Sequence, residues 1–246
     1  MRRHIIILSS IFLWAGRLAA QTGNRAAAVQ AISQLAERYV HTPMLSFDVV
    51  YRYASEASPG RYLDSLRGSF KMDGMRYWYL LDSTEMLCAD KWVVILYRED
   101  KIMYLSLAGA RAMPANPMAM LDSFLAKKDG LEYGVTDAGG QTKVTVSFGK
   151  ESSCRQLEYD IDDKTGLLTR MVSVVKSEQL YEPSVRSLVS PGASYAVVET
   201  LFTNYHEKSF VEGVFDAGRY FKKEGDAYVC VAPYNQYKIF LGKPGL

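Results

Sequence analysis

The pattern of apolar and polar positions changes its period once near the start of the chain. Over residues 24–40, strong helix formers predominate and apolar side chains recur every three or four positions. The apolar stripe of this predicted helix consists of Val29, Ile32, Ala36 and Tyr39. From residue 46 the period becomes two, as in SFDVVYRY, where Phe47, Val49 and Tyr51 share one face. The pattern therefore predicts one N-terminal helix followed by half-buried strands.

Short turns join the strands that follow. Asp73-Gly74, Asp90-Lys91 and Glu99-Asp100 separate alternating segments, so the strands up to residue 107 form a meander of antiparallel neighbours. A loop with two prolines and a short amphipathic helix, NPMAMLDSFLAKK, interrupt the strands before they resume. The prediction is a mainly β (α+β) fold, with a strongly curved antiparallel sheet or unclosed barrel of about 10–11 strands that the two helices cover.

The acidic stretch YDIDDKTGLL, residues 159–168, raises the question of a calcium loop. Counted from Asp160, the fifth position of the loop holds Lys164 and the twelfth holds Met171, and neither side chain binds calcium. Apolar residues alternate into and out of the stretch, and Gly166 can adopt the positive φ of a hairpin turn. We therefore predict a hairpin with solvated aspartates and no metal site.

The first 20 residues have the order of a secretory signal peptide. Arg2 and Arg3 precede an apolar run of about eleven residues, which is too short to span a bilayer. We predict cleavage after Ala20, which gives an exported periplasmic protein without a membrane span. Cleavage removes Arg2, Arg3 and Arg17, so 26 of the 29 basic residues remain against 27 acidic ones and the net charge becomes −1. Such a near-neutral chain is not expected to bind nucleic acid.

Candidate catalytic groups are sparse. The mature chain retains two histidines, His41 and His206, and it carries no Gly-x-Ser-x-Gly, His-Glu-x-x-His or phosphate-loop motif. Three cysteines, Cys88, Cys154 and Cys230, permit at most one internal disulfide, and their spacing indicates neither a redox pair nor a zinc site. We predict a protein without catalytic residues, metal or cofactor. A hydrolase that uses one of the histidines is the least favoured alternative.

Some strands carry large apolar side chains on both faces, as in MRYWYLL and WVVILY. One apolar face is enough to fold a meander, so the second face must be covered by helices, another sheet or a lipid-like ligand. The mid-chain helix has the apolar surface and the adaptable methionines of a movable lid. The predicted wall of a hydrophobic, ligand-binding cavity consists of Phe47, Val49, Tyr51, Phe70, Met72, Trp78, Leu80, Trp92 and Val94, with Met118, Leu121 and Leu125 from the lid.

The order of these elements resembles the LolA-like family of periplasmic lipoprotein carriers. The likeness runs through LRGSFKMDGMRYWYLL, EMLCADKWVVILYREDKIMYLSL, NPMAMLDSFL and RQLEYDIDDKTGLLTRMVSV, and it covers roughly residues 24–215. It implies an unclosed barrel with helices as a lid over a cavity that holds lipoprotein acyl chains. The resemblance also implies an inner-membrane release complex and an outer-membrane acceptor as partners, and one LolA-like domain over residues 21–246.

The chain departs from the family pattern in three places. Lys71 stands near the family's basic residue before the third strand, but the family's proline is absent there. The turn before the aromatic strand reads Ala89-Asp90-Lys91 without the family's glycine, and the tail DAYVCVAPYNQYKIF extends beyond the usual end. This tail can add an edge strand or cover the sheet. Two functions remain open: a carrier of lipid or lipoprotein acyl chains, and a cell-envelope binding or scaffold module without cargo.

Overall fold

The computed structural model describes residues 24–107, 130–149, 152–180 and 194–242. The predicted signal peptide and the predicted lid helix with Met118, Leu121 and Leu125 lie outside these residues. Within the described ranges, every helix is too short or too polar to cross a membrane. The first described element is helix α1, residues 24–40, which the helical period predicts.

Helix α1 buries a narrow stripe of apolar side chains. The stripe consists of Ala28, Ile32, Leu35 and Tyr39, each at most 4% exposed. Spacings of three and four residues place these side chains one above another on the helix. Val29 and Ala36, which the predicted stripe included, are half-buried on its flank.

The described residues after α1 form fourteen strands and two short 3₁₀ helices, Ser177–Gln179 and Ala217–Arg219. The strands are β1 Met44–Ser55, β2 Tyr62–Asp73, β3 Arg76–Leu81, β4 Thr84–Ala89, β5 Trp92–Tyr97, β6 Ile102–Leu107, β7 Glu132–Asp137, β8 Gln141–Ser147, β9 Cys154–Asp162, β10 Leu168–Lys176, β11 Tyr195–His206, β12 Phe221–Glu224, β13 Ala227–Cys230 and β14 Lys238–Leu241. Twelve of them form one sheet in the order β14-β6-β5-β4-β3-β2-β1-β11-β10-β9-β8-β7, and β12 pairs with β13 separately.

The predicted fold class is confirmed by this strand order. Among the described strands, β14 and β7 end the sheet without pairing with each other, so the sheet is unclosed. Strands β2 to β6 form an antiparallel meander, as the short turns predict. The last strand, β14, differs because it pairs with β6 in parallel and places Phe240 beside Tyr104. The strands that exceed the predicted number, β12 to β14, all lie in the tail of the chain.

The chain divides into two compact units, each made of three segments. The first comprises Met1–Arg38, Tyr53–Leu63 and Ser123–Glu199. The second comprises Tyr39–Arg52, Asp64–Asp122 and Thr200–Leu246. The single domain predicted over residues 21–246 stays a prediction.

The first unit contains a cluster of charged side chains on β8 to β11. The Arg170 Nε donates to Glu199 Oε1 at 2.6 Å, and its Nη1 donates to Asp160 Oδ2 at 3.3 Å. The Lys143 Nζ lies 3.6 Å from the other oxygen of Asp160. Asp160 and Glu199 are each only 8% exposed, so these cations offset the cost of removing two carboxylates from water.

The stretch of residues 159–168 is the predicted hairpin. Strands β9 and β10 pair antiparallel, Gly166 has a φ of 68°, and its N–H donates to the Asp162 carbonyl at 2.8 Å. The Asp162 carboxylate accepts from the Thr165 hydroxyl and N–H, and these bonds lower the pKa of Asp162. One expectation was wrong: Asp160 is not a solvated turn residue, because it faces Arg170 within the charged cluster.

Gly68 lies where β2 and β3 approach closely. A Cβ atom added there would stand 2.4 Å from the Leu80 carbonyl oxygen, and a backbone atom cannot move aside cheaply. Gly68→Ala is therefore expected to lower the free energy of unfolding by about 1–3 kcal/mol, the usual cost of overpacking. Urea unfolding measures this value. Gly60→Ala is the control, because no atom lies within 4 Å of its added Cβ. Equal stability of the two variants would contradict the prediction.

Candidate functional site

The register of β2 and β3 divides the predicted cavity wall between two faces of the sheet. Phe70 pairs with Tyr79 and Met72 pairs with Tyr77, so these four side chains share one face. Trp78 and Leu80 alternate with them and lie on the other face, opposite Lys71 and Ser69 respectively. We call the face of Phe70 and Tyr79 the aromatic face, and the face of Trp78 the covered face.

The tail of the chain packs on the covered face in the second unit. One buried cluster joins residues of β4 to β6 with residues of the tail: Leu87, Ala89, Val94, Leu96, Met103, Leu105, Val214, Phe215, Ala217, Tyr220 and Phe221. The Trp92 ring lies 5.0 Å from the Phe221 ring and 5.3 Å from the Tyr228 ring. Of the predicted cavity wall, Trp78, Trp92 and Val94 are therefore part of, or packed against, this internal cluster.

A buried carboxylate fastens the tail to the covered face. Glu85 is 2% exposed and accepts hydrogen bonds from the Trp78 Nε1–H at 2.8 Å and the Tyr220 hydroxyl at 2.6 Å. The Arg98 guanidinium also donates to the Glu85 carboxylate, through its Nε at 3.2 Å and through its Nη2. Burial, the largest effect, acts to raise the pKa of Glu85, but the hydrogen bonds from Tyr220, Trp78 and Arg98 outweigh it and lower the pKa.

The aromatic face carries a continuous row of large side chains across the sheet. Register pairing aligns Phe70, Tyr79, Met86, Ile95, Tyr104 and Phe240, one from each of β2 to β6 and β14. We call these six residues the central row. Five steps between strands, each about 4.8 Å, make the row about 24 Å long. Phe47 of β1 continues it, because its ring stacks on Phe70 at 5.3 Å.

Exposure increases along the central row from one end to the other. Phe47 and Phe70 are buried, and Tyr79, Met86 and Ile95 are half-buried. Tyr104 is 41% and Phe240 45% exposed, and their rings stack at 5.4 Å. The row therefore leads from the core to an aromatic rim at the sheet edge, a geometry that suits one long apolar ligand.

The other predicted wall residues of β1 differ in burial. Val49 is 1% exposed and Tyr51 is half-buried, and both share the face of Phe47, because they follow it at every second position. The predicted wall residues that are buried in the central row or next to it are therefore Phe47, Val49, Phe70 and Met72.

A second row lies beside the central row and is mostly buried. It aligns Met72, Tyr77, Cys88, Val93 and Ser106 by register. Burial and then the neighbouring Cys88 raise the pKa of Tyr77, and burial raises the pKa of the Cys88 thiol. Both groups are neutral near neutral pH, so Cys88 lacks the thiolate character of a nucleophile.

The remaining candidate groups form no reactive arrangement in the described residues. His41 and His206 are exposed. Cys88, Cys154 and Cys230 are all free thiols. In the part of the chain that the structure describes, no three His, Cys, Asp or Glu side chains lie close enough to hold a metal ion.

Solved structures that match this chain include a LolA superfamily protein. That protein, from Nitrosomonas europaea, is 7% identical with a TM-score of 0.36, and the match covers 78% of this chain and 98% of that one. An uncharacterized conserved protein from Thermus thermophilus is 9% identical with a TM-score of 0.47, covering 88% and 99%. The lipoprotein LppX from Mycobacterium tuberculosis is 12% identical with a TM-score of 0.37, covering 76% and 99%.

At the level of sequence, no protein-family model and no curated protein matches the chain. One fold serves many functions, so a function has to be argued from particular residues and not from the fold.

Proposed function

We propose that this chain is an exported, non-catalytic carrier that binds the acyl chains of a lipid or lipoprotein along the aromatic face. The observation that carries the proposal is the contrast between the two faces of β3 to β6. The chain's own tail packs against one face, whereas the other keeps half-buried and exposed side chains such as Ile95, Tyr97 and Tyr104. Large exposed apolar surfaces mark binding sites in soluble proteins.

The hydrophobic effect supplies enough affinity for this role without a charged anchor. Each buried CH₂ group contributes about 0.8 kcal/mol, so a chain of about sixteen carbons gains roughly 13 kcal/mol. Loss of translational and rotational freedom opposes binding by about 4 kcal/mol or more. Long chains are therefore retained and short ones are not, which is the selectivity that a lipid carrier needs.

Within the predicted cavity wall, we assign Phe47, Val49, Tyr51, Phe70 and Met72 to this site. Trp78, Leu80, Trp92 and Val94 belong instead to the covered face. Met118, Leu121 and Leu125 remain the proposed lid. The signal-peptide pattern and the resemblance to LolA-like carriers support a periplasmic location, with an inner-membrane release complex and an outer-membrane acceptor as partners.

Met86→Gln is expected to weaken binding of a long-chain ligand about tenfold. The substitution keeps the length of the side chain but places an amide against the acyl chain, where an unpaired polar group costs about 1–3 kcal/mol. Displacement of a hydrophobic fluorophore by palmitate measures the affinity. Met75→Gln is the matched control, because Met75 is 73% exposed at the β2–β3 turn. An equal effect of both variants would exclude the central row as the site.

Native mass spectrometry of protein taken directly from the periplasm tests the proposal itself. A carrier should retain the mass of one or more lipids, and apolar fluorophores should bind to the delipidated protein. If neither occurs and crosslinking traps a fixed protein partner instead, the protein is a scaffold module and the carrier proposal is wrong.

A further inference from the structure

The accessible part of the central row ends at Phe70. The five other members of the row are half-buried or exposed: Tyr79, Met86, Ile95, Tyr104 and Phe240. Phe70 is only 7% exposed, because its ring is stacked between two others. The Tyr79 ring lies 5.1 Å from it on one side, and the Phe47 ring lies 5.3 Å from it on the other. A ligand that lies along the row therefore contacts Tyr79 and stops at Phe70.

Packed rings close the row at its inner end. Phe47 is 2% exposed, and three further rings surround its own at centroid distances of 5.2 to 6.5 Å: Tyr39, Phe202 and Tyr205. The hydroxyls of Tyr39 and Tyr205 hydrogen-bond each other at 2.7 Å. A polar head group would lose its hydration among these rings, whereas the exposed aromatic rim at the other end leaves it in water.

The accessible part of the row also sets a length for the ligand. Tyr79 is on β3 and Phe240 is on β14, four steps away in the sheet order. Steps of about 4.8 Å make this distance about 19 Å. An extended hydrocarbon chain with C–C bonds of about 1.5 Å advances about 1.25 Å per carbon, so about sixteen carbons fill the accessible part.

We infer that the central row is a length gauge for a single acyl chain, which lies with its methyl end against Phe70 and its head group at the aromatic rim. The inference rests on the proposed function and names its ligand class: lipids with straight acyl chains of about sixteen carbons. Phe70 is then the residue that determines specificity, because its ring stands where the next carbons of a longer chain would lie. A longer chain leaves its extra carbons in water at the rim.

A series of saturated fatty acids of about 10 to 22 carbons tests the gauge by displacing N-phenylnaphthylamine from the delipidated mature protein. In the wild type, each added CH₂ group should raise the affinity about fourfold up to about sixteen carbons and little beyond that length. Phe70→Ala opens one further strand step, so the variant should extend this limit by about four carbons.

Phe202→Ala is the matched control for Phe70→Ala. Phe202 is 5% exposed, but it lies on β11, on the far side of β1 from Phe70, and is not a member of the row. This variant should keep the length limit of the wild type. A steady rise of affinity with chain length, or an unchanged limit in Phe70→Ala, would overturn the gauge and leave the carrier proposal intact. If no acid displaces the fluorophore from the wild type, the carrier proposal fails, and the gauge with it.

A second measurement reads the orientation of the chain without altering Phe70, so it stands even where Phe70→Ala does not fold. Tyr104→Trp places an indole at the rim, and a side chain that is 41% exposed tolerates this change. Palmitate brominated next to its carboxylate should quench the added fluorescence more strongly than palmitate brominated at its methyl end. The wild type supplies the background from Trp78 and Trp92. Equal quenching, or stronger quenching by the second acid, would overturn the inference.

Discussion

Replacing Glu85 with leucine is expected to lower the free energy of unfolding by about 3–5 kcal/mol, the usual cost of breaking a buried network of charges and hydrogen bonds. The variant leaves the Trp78 N–H and the Tyr220 hydroxyl without the acceptor that they contact at 2.8 and 2.6 Å. Arg98 adds less, because its side chain is 42% exposed and can turn to water. Urea unfolding measures the loss, and proteolysis of the tail should begin at lower urea concentration than in the wild type.

Glu99→Leu is the matched control for this prediction. Glu99 lies exposed in the turn between β5 and β6, so its replacement should change stability by no more than about 0.5 kcal/mol. A loss in Glu85→Leu as small as that of the control would show that the carboxylate does not hold the tail.

The pH dependence of stability gives an independent check on Glu85. Its pKa in the folded protein is lowered from an ordinary value of 4.5, so the carboxylate contributes stability above that pH. The contribution is lost as the pH falls through the folded pKa. The stability advantage of the wild type over Glu85→Gln should therefore be constant near neutral pH and shrink below about 4.5. An advantage that grows in acid would contradict the assignment.

Phe47→Ala is expected to lower the free energy of unfolding by about 3–5 kcal/mol, the usual range for truncating a buried phenylalanine. Phe47 is 2% exposed, and the ring centroids of Tyr39, Phe70, Phe202 and Tyr205 lie between 5.2 and 6.5 Å from its own. Its loss would open a cavity among rings on three elements, α1, β2 and β11. Chemical unfolding monitored by circular dichroism measures the change.

Phe240→Ala provides the comparison for Phe47→Ala. The same atoms are removed from the aromatic face, but at a position that is 45% exposed on the edge strand β14. Its cost should remain below about 1 kcal/mol, since little area returns to water. Similar losses in the two variants would contradict the increase in exposure from Phe47 to Phe240.

Local patterns predicted the meander because its contacts are local. The two-residue loop between β2 and β3 joins strands that pair with each other, and the alternation of apolar residues marks both strands. The hairpin of β9 and β10 was predictable for the same reason, because Gly166 marks the turn between the two strands. An edge strand in the tail was one of two possibilities that the sequence allowed. The parallel pairing of β14 with β6 was not predictable, because the two strands lie far apart in sequence.

The predicted cavity wall took residues from both faces of the sheet, because alternation does not say which face is covered. The Asp73-Gly74 turn pairs Met72 with Tyr77, so Trp78 cannot share the face of Met72. The predicted wall combined both faces. Glu85 carried no sequence signal of burial, because its partner Tyr220 comes from the distant tail.

The parallel pairing of β14 with β6 has a consequence for the nascent chain. Strands β2 to β6 can pair as soon as they have been synthesised, since each needs only its predecessor. The outer edge of β6 stays unpaired until Lys238–Leu241 has been synthesised. The covered face likewise stays exposed until the segment with Tyr220 is present. In that interval the molecule presents an open strand edge and apolar surface together, which is the state most prone to aggregation. The yield of folded protein should therefore depend on how quickly synthesis delivers the tail.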